Sequence, residues 1–272
     1  MRLSERCRHI TAVFRGEAGR VKVKSMKIYL ARHGTTEWNS KRLIQGRTDT
    51  ALDDAGIEMA KQSGRRLKEL NVTFSHVFSS PLKRAYTTAL YLTDPDAGQT
   101  ASSADGDGII TDSRLTELYF GDFEGMNVET MTGDPDCIFR FFKSDPKRYN
   151  DEIIRNGLPA EDLASLLERA SDFVREVIEP ILTSGKSAPT CTHDLESNIL
   201  ISGHGAVNKA LLMYFEGKND LSSFWGNGLQ PNCGINKISC TVMTDKRIIY
   251  DVQDECLTLY DKNLITAIPK LL

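Results

Sequence analysis

The stretch KIYLARHGTT (27–36) constrains this chain more than any other. A short run of β-favouring apolar residues ends abruptly in Arg32-His33-Gly34, with Thr35 and Thr36 behind it. An arginine beside a histidine makes a poor core, but a strand end presents the pair at the edge of a sheet. The pattern returns in NILISGHGA (198–206), a second apolar strand that runs into His204 between two glycines. VNKALLMYF then reads as a helix.

Between these two strands, helices and strands alternate. LDDAGIEMAKQSGRRLKEL has apolar residues at helical spacing, with Leu52, Ile57, Ala60, Leu67 and Leu70 toward the core and Asp53 or Asp54 as the cap. HVFSS (76–80) is a strand, and SPLKRAYTTALYL a helix with Pro81 in its first turn. DPDAGQTASSADGDG has no period and reads as an exposed loop. IITDSRLTEL carries a short edge strand, and FGDFEG a turn. Residues 126–155 read as short helices of an inserted lid, within a segment spanning about 122–160. PAEDLASLLERASDFVREVIEPIL is an amphipathic helix with acids in its first turn. SGKSAPTCTHDLES is a loop, and INKISCTVMT and KRIIYDVQD form a closing pair of strands. The alternation predicts a three-layer α/β/α sandwich around a mostly parallel sheet. In such sheets ligands sit at the carboxyl ends of the strands, which would gather Arg32-His33, the Ser80–Arg84 turn and His204 along one edge.

The 272 residues allow one large domain or two small ones, and no apolar run reaches the roughly 20 residues of a membrane-spanning helix. The formal charge is −3, but residues 1–25 hold seven Lys or Arg and two acids, a local +5, so the remainder carries −8. That acidic body excludes nucleic-acid binding as its business. The basic arm fits a tether, an Arg-rich presequence, or sequence upstream of a start at Met26, and is set outside the fold of 26–272. Six cysteines without a CxxC pair point to free thiols in a reducing, cytoplasmic setting. No metal-ligand spacing is present, and no cofactor, nucleic-acid or membrane partner is expected. Oligomeric state is left open.

Arg32 and Arg84 are permanent forks of donors suited to an oxyanion. His33 and His204 can act as nucleophile, donor or base near neutral pH. Thr35, Thr36 and Asn39 add neutral donors. Two arginines and two histidines about one point are economically explained by a phosphoryl dianion, which an imidazole nitrogen can also attack. The leaving oxygen then needs a proton, for which Glu117 is the first candidate and Glu124 the weaker one. His76 and His193 read as structural or solvent-facing, and His9 falls in the arm set outside the fold. GHGAVN imitates a dinucleotide fingerprint, but Asn208 replaces its third glycine and no acidic residue follows at the proper distance. The serine of ISGHG lacks the G-x-S-x-G of a nucleophile elbow.

Five blocks in this order resemble the histidine phosphatase superfamily, in its phosphoglycerate mutase-like branch. They are ARHGTTEWN, RLIQGRTDTALDDAG, SSPLKRAYTTA, LTELYFGDFEG and ISGHGAVNKALL. The resemblance implies that His33 is phosphorylated in turnover and that Arg32, Arg84 and His204 line the phosphate pocket. It makes Glu117 the proton donor and places Asn39, Thr36, Gln45 and Gly46 where phosphate and substrate are met. Pro159-Ala160-Glu161 stands where the family has Gly-Glu-Ser. Gly46-Arg47-Thr48-Asp49 replaces the Gly-Trp-x-Asp of mutases, and the LYFGDFEG stretch (118–125) is similar to broad-specificity and α-ribazole phosphatase-like members. The resemblance therefore implies hydrolysis of a small phosphorylated metabolite, with phosphoglycerate mutase activity or a non-catalytic phosphate-binding module as alternatives.

Overall fold

The computed structural model describes residues 24–98, 108–184 and 198–265. Its strands are β1 (Lys24–Arg32), β2 (Phe74–Ser79), β3 (Ile109–Thr111), β4 (Asn198–Gly203), β5 (Ile235–Val242) and β6 (Ile248–Leu257). They form one sheet in the order β3-β2-β4-β1-β5-β6. β1 to β4 pair in parallel, and β5 lies antiparallel to β1 and β6. The helices are α1 (Glu37–Ser40), α2 (Asp54–Glu69), α3 (Lys83–Thr93), α4 (Val128–Gly133), α5 (Phe141–Ser144) and α6 (Pro146–Asn156), followed by α7 (Leu163–Phe173), α8 (Glu179–Thr183) and α9 (Gly205–Phe215).

Alternation along the strands sorts the two faces of the sheet. Ile28, Leu30, Phe78, Ile199 and Ile201 pack with residues of α4, α6, α7 and α9. Tyr29, Ala31, Val77 and Leu200 pack instead with Leu67 of α2 and Ala89, Leu90 and Leu92 of α3. These clusters make the three layers of the mostly parallel α/β/α sandwich. Five apolar residues of β1 and three of β4 are buried in them. At about 1.5–3 kcal/mol for each large apolar side chain, this burial is what holds the strand ends in place.

Several local expectations are corrected. β1 begins at Lys24 rather than at Lys27, because Lys24 and Ser25 find partners in Val242 and Thr241 of β5. Part of the basic arm is thus sheet. The buried stripe of α2 is Gly56, Met59, Ala60, Ser63, Gly64 and Leu67, while Leu70 is half exposed at the C-cap. Small residues dominate because α2 lies so close to α3 that a Cβ on Gly64 would overlap the carbonyl of Tyr91. Asp53 is the cap, accepting from Gly56 N. Pro81 precedes α3, which opens at Lys83. Glu161 and Asp162 likewise stand before α7, with Asp162 as its N-cap. The helix continues through a π-helical turn, Val174–Ile178, just ahead of Pro180, whose missing N–H disturbs the ordinary register.

Residues 126–155 do form short helices. Residues 99–107 and 185–197, which hold most of two expected loops together with Cys191 and His193, lie outside the described residues, as do His9 and Cys7. Among the described residues no helix is long and apolar enough to cross a membrane. Cys137, Cys233, Cys240 and Cys256 are free thiols.

Candidate active site

Parallel register brings the expected groups together. Arg32 pairs with Gly203, and Ser79 with Ser202, so β1, β2 and β4 end side by side. The next residues continue the ladder, His33 N donating to Gly203 O at 3.1 Å and Ser80 N to Ser202 O at 2.9 Å. His33 and His204 therefore leave adjacent strands, with ring centroids 5.2 Å apart.

The His33 ring is buried, and its Nδ1 lies 2.6 Å from Gly34 O. A carbonyl can only accept, so the proton sits on Nδ1 and Nε2 keeps its lone pair. Burial, Arg84 and Arg32 hold the His33 pKa well below 6.5, and burial, Arg84 and His33 do the same for His204. His33 is therefore a neutral base at neutral pH. Its main chain is held from the far end of the sequence, with Cys233 N and Asn232 Nδ2 donating to His33 O.

Arg32 donates from Nη1 to Gln230 O at 2.6 Å. Arg84, on α3, donates from Nη1 to Thr48 O and from Nη2 to Gly46 O. Burial lowers both guanidinium pKa values to about 10, with Glu117 the largest opposing influence, and both stay charged at neutral pH. Arg32 Nε, Arg84 Nε and His204 Nδ1 are buried without a hydrogen-bond partner among the described residues. Unpaired buried donors are costly, and an oxyanion in their midst removes that cost.

Glu117, in the loop that follows β3, faces this cationic group across the start of α9. Its Oε1 accepts from Leu118, Ala206 and Val207 N, and its Oε2 from Ala206 N. A Cβ placed on Gly205 would lie 3.4 Å from Glu117 Oε2 and 3.9 Å from Arg32 Nε, so carboxylate and guanidinium flank the same glycine. Glu124, the weaker candidate, has a different position. It accepts from Arg47 N, Thr48 N, Thr48 Oγ1 and Phe120 N, clamping the loop whose carbonyls grip Arg84. The αL glycine Gly46 (φ +52°) leaves room for that carboxylate, which any Cβ would overlap.

Arg32, His33, Asn39, Gln45, Gly46 and Glu117 line a pocket of about 110 Å³. Arg84 and His204 are fully buried and are not among its lining residues. Thr36 is also off the wall. It is the N-cap of α1 and binds Asn39 Oδ1 and Gln45 Oε1, so it holds two pocket residues rather than facing the pocket itself. Asn39 Oδ1 is taken up by Thr36 and Asn232, which leaves its NH₂ end for a ligand. His76 is bonded to Ser75 on β2, away from this wall.

Sequence reasoning missed the residues that seat these groups. Gln230 Nε2 donates to Leu30 O and Gly234 O, and its Oε1 accepts from Asn208, fixing the turn that holds Arg32. Ser80 Oγ bonds His204 Nε2 at 2.8 Å. Arg169 Nη1 donates to Arg114 O and Thr116 O and Nη2 to Glu117 O, while a two-pronged pair with Glu161 steadies its fork. Glu161 thus acts on the Glu117 loop through Arg169. The polar turn LQPNCG was the available signal for Gln230 and Asn232. Nothing local marked Arg169.

The two imidazoles make a prediction about pH. Their folded pKa values lie below the unfolded 6.5, so acid drives protons onto the unfolded chain first. Stability is full above pH 6.5 and falls as pH drops below it, by up to about 1.4 kcal/mol per pH unit for each histidine. Thermal melts from pH 7.5 to 5.5 should show the decline, and vanadate should raise the melting temperature throughout. A melting temperature that rises on acidification counts against this arrangement.

Two arginines, two histidines and a carboxylate are thus gathered beside the strand ends of an αβα sandwich. The family description "Histidine phosphatase superfamily (branch 1)" matches residues 28–246, and the chain belongs to that superfamily. It is 31% identical to a 2,3-bisphosphoglycerate-dependent phosphoglycerate mutase of Treponema denticola, over 72% of this chain and 80% of that protein. It is 29% identical to a Hydrogenobacter thermophilus protein provisionally named phosphoserine phosphatase 2, over 78% and 88%. Among solved structures, a mycobacterial glucosyl-3-phosphoglycerate phosphatase superposes with a TM-score of 0.64 at 19% identity, covering 86% of this chain and 99% of that one, a likeness of fold.

Proposed function

We propose that this enzyme hydrolyses small phosphomonoesters through a phosphohistidine. The observation that carries the reading is the bare Nε2 of a neutral, buried His33 between two permanent cations. In the first step Nε2 attacks phosphorus, the P–O ester bond breaks, and Glu117 gives its proton to the departing oxygen. Arg32, Arg84 and His204 stabilise charge on the three equatorial oxygens, and Asn39, Gln45 and the Gly46 loop frame the group. In the second step water attacks phosphorus, the P–N bond breaks, and Glu117 takes the proton of the water. His33 and inorganic phosphate are regenerated.

The arginines supply the charge that a metal ion would otherwise bring. Turnover of p-nitrophenyl phosphate should accordingly persist in excess chelator, with an acid-labile phosphoprotein trapped on quenching. Chelator-sensitive activity, or turnover without any phosphoprotein, would sink the reading. A second reading, phosphoryl transfer between phosphoglycerates, is favoured by the likeness to the Treponema mutase. It gains only if interconversion with a bisphosphoglycerate primer outruns hydrolysis.

A further inference from the structure

The phosphoryl end of the pocket is polar, but its outer wall is not. Phe120, Phe139, Phe142 and Trp225 line it together with Leu43 and Leu229. The rings form a continuous patch, Phe142 lying 5.2 Å from Phe120, 5.2 Å from Phe139 and 5.0 Å from Trp225 between centroids. The one polar atom these rings carry, Trp225 Nε1, is already spent on Phe142 O at 2.6 Å. Leu229 closes the side above the start of α9, where its Cδ1 would stand 2.8 Å from a Cβ on Gly205. Beyond the phosphoryl cradle, Lys143 is the only ionisable residue on this wall among the described residues, and it is exposed at the mouth.

From this wall we infer that the physiological substrate is a phosphomonoester of an apolar alcohol or phenol. The inference rests on the hydrolase reading above. A sugar or glyceryl group would bring several hydroxyls against aromatic and leucyl carbon with nothing to bond them, and each unpaired polar group is costly. A second phosphate or a carboxylate would find a single lysine. An alkyl, isoprenoid or aryl group loses no hydrogen bond there and gains burial.

The test separates this inference from the reading beneath it. Affinities of ethyl-, propyl- and butylphosphonate, which cannot be hydrolysed, are measured by calorimetry on the intact enzyme. Hydrolysis rates of the corresponding alkyl phosphates, whose leaving groups match in basicity, are measured beside them. Affinity and kcat/KM should each rise by roughly fourfold per methylene. Glycerol 3-phosphate should fall at least about tenfold below propyl phosphate. A flat phosphonate series, or preference for the glyceryl ester, overturns the inference even if hydrolysis proceeds. A rising phosphonate series with no hydrolysis of any ester upholds the apolar wall and overturns the hydrolase reading instead.

Discussion

In His33→Ala, turnover of p-nitrophenyl phosphate should fall by about 10⁴-fold or more, and the acid-labile phosphoprotein should vanish. The size follows from removing a covalent nucleophile, since groups that act as a unit lose nearly all their effect when one is taken away. The fold should survive. His33 contributes its backbone to Gly203, Cys233 and Asn232, and alanine keeps those bonds. Arg32 and Arg84 remain, so vanadate should still raise the melting temperature of the variant. Activity within tenfold of the wild type would show that another group attacks phosphorus.

Glu117→Gln should give the second largest effect, in a form that a structural role would not imitate. Glutamine can keep the three acceptances of Oε1 and gives up only the second contact from Ala206 N. What it loses is the transferable proton. For alkyl phosphates, whose alkoxides need protonation, kcat/KM should drop by about 10³-fold. For p-nitrophenyl phosphate, whose phenolate leaves without help, the first step should be nearly untouched. Breakdown of the phosphoenzyme, which needs a base for water, should slow, so the phosphoprotein accumulates to a burst. An equal loss for both esters, with no burst, would assign Glu117 to binding rather than proton transfer.

Much of this site could be read in the sequence because its parts lie at strand ends. Arg32, His33 and His204 each follow a run of apolar residues whose burial is a matter of composition, and parallel pairing does the rest. Arg84 was read from its place just after a strand end and Glu117 from the need for a proton donor, and the resemblance then gave each its role. The positions that failed are those decided by packing. Leu70 has the right period on α2 and lies exposed, because the helix turns its small residues toward α3. Thr36 is in the motif but faces inward to Asn39 and Gln45. Glu124 and Glu117 are seven residues apart and of the same residue type; only their partners distinguish a loop clamp from a group on the pocket wall. Arg169 is invisible locally because the main-chain carbonyls it holds lie more than 50 residues away.

The turn before β5 has a bearing on how the enzyme comes into being. Gln230 reaches back 198 residues to Arg32, and Asn232 reaches back 199 to His33. During synthesis the first strand emerges early, yet the groups that seat Arg32 and His33 follow only 198 and 199 residues later. Until then, an arginine and a histidine wait at a half-built edge without their supports. Closing so long a loop makes this a late event in folding. A nascent or truncated chain ending before residue 230 would own every residue of the reaction and still be unable to perform it.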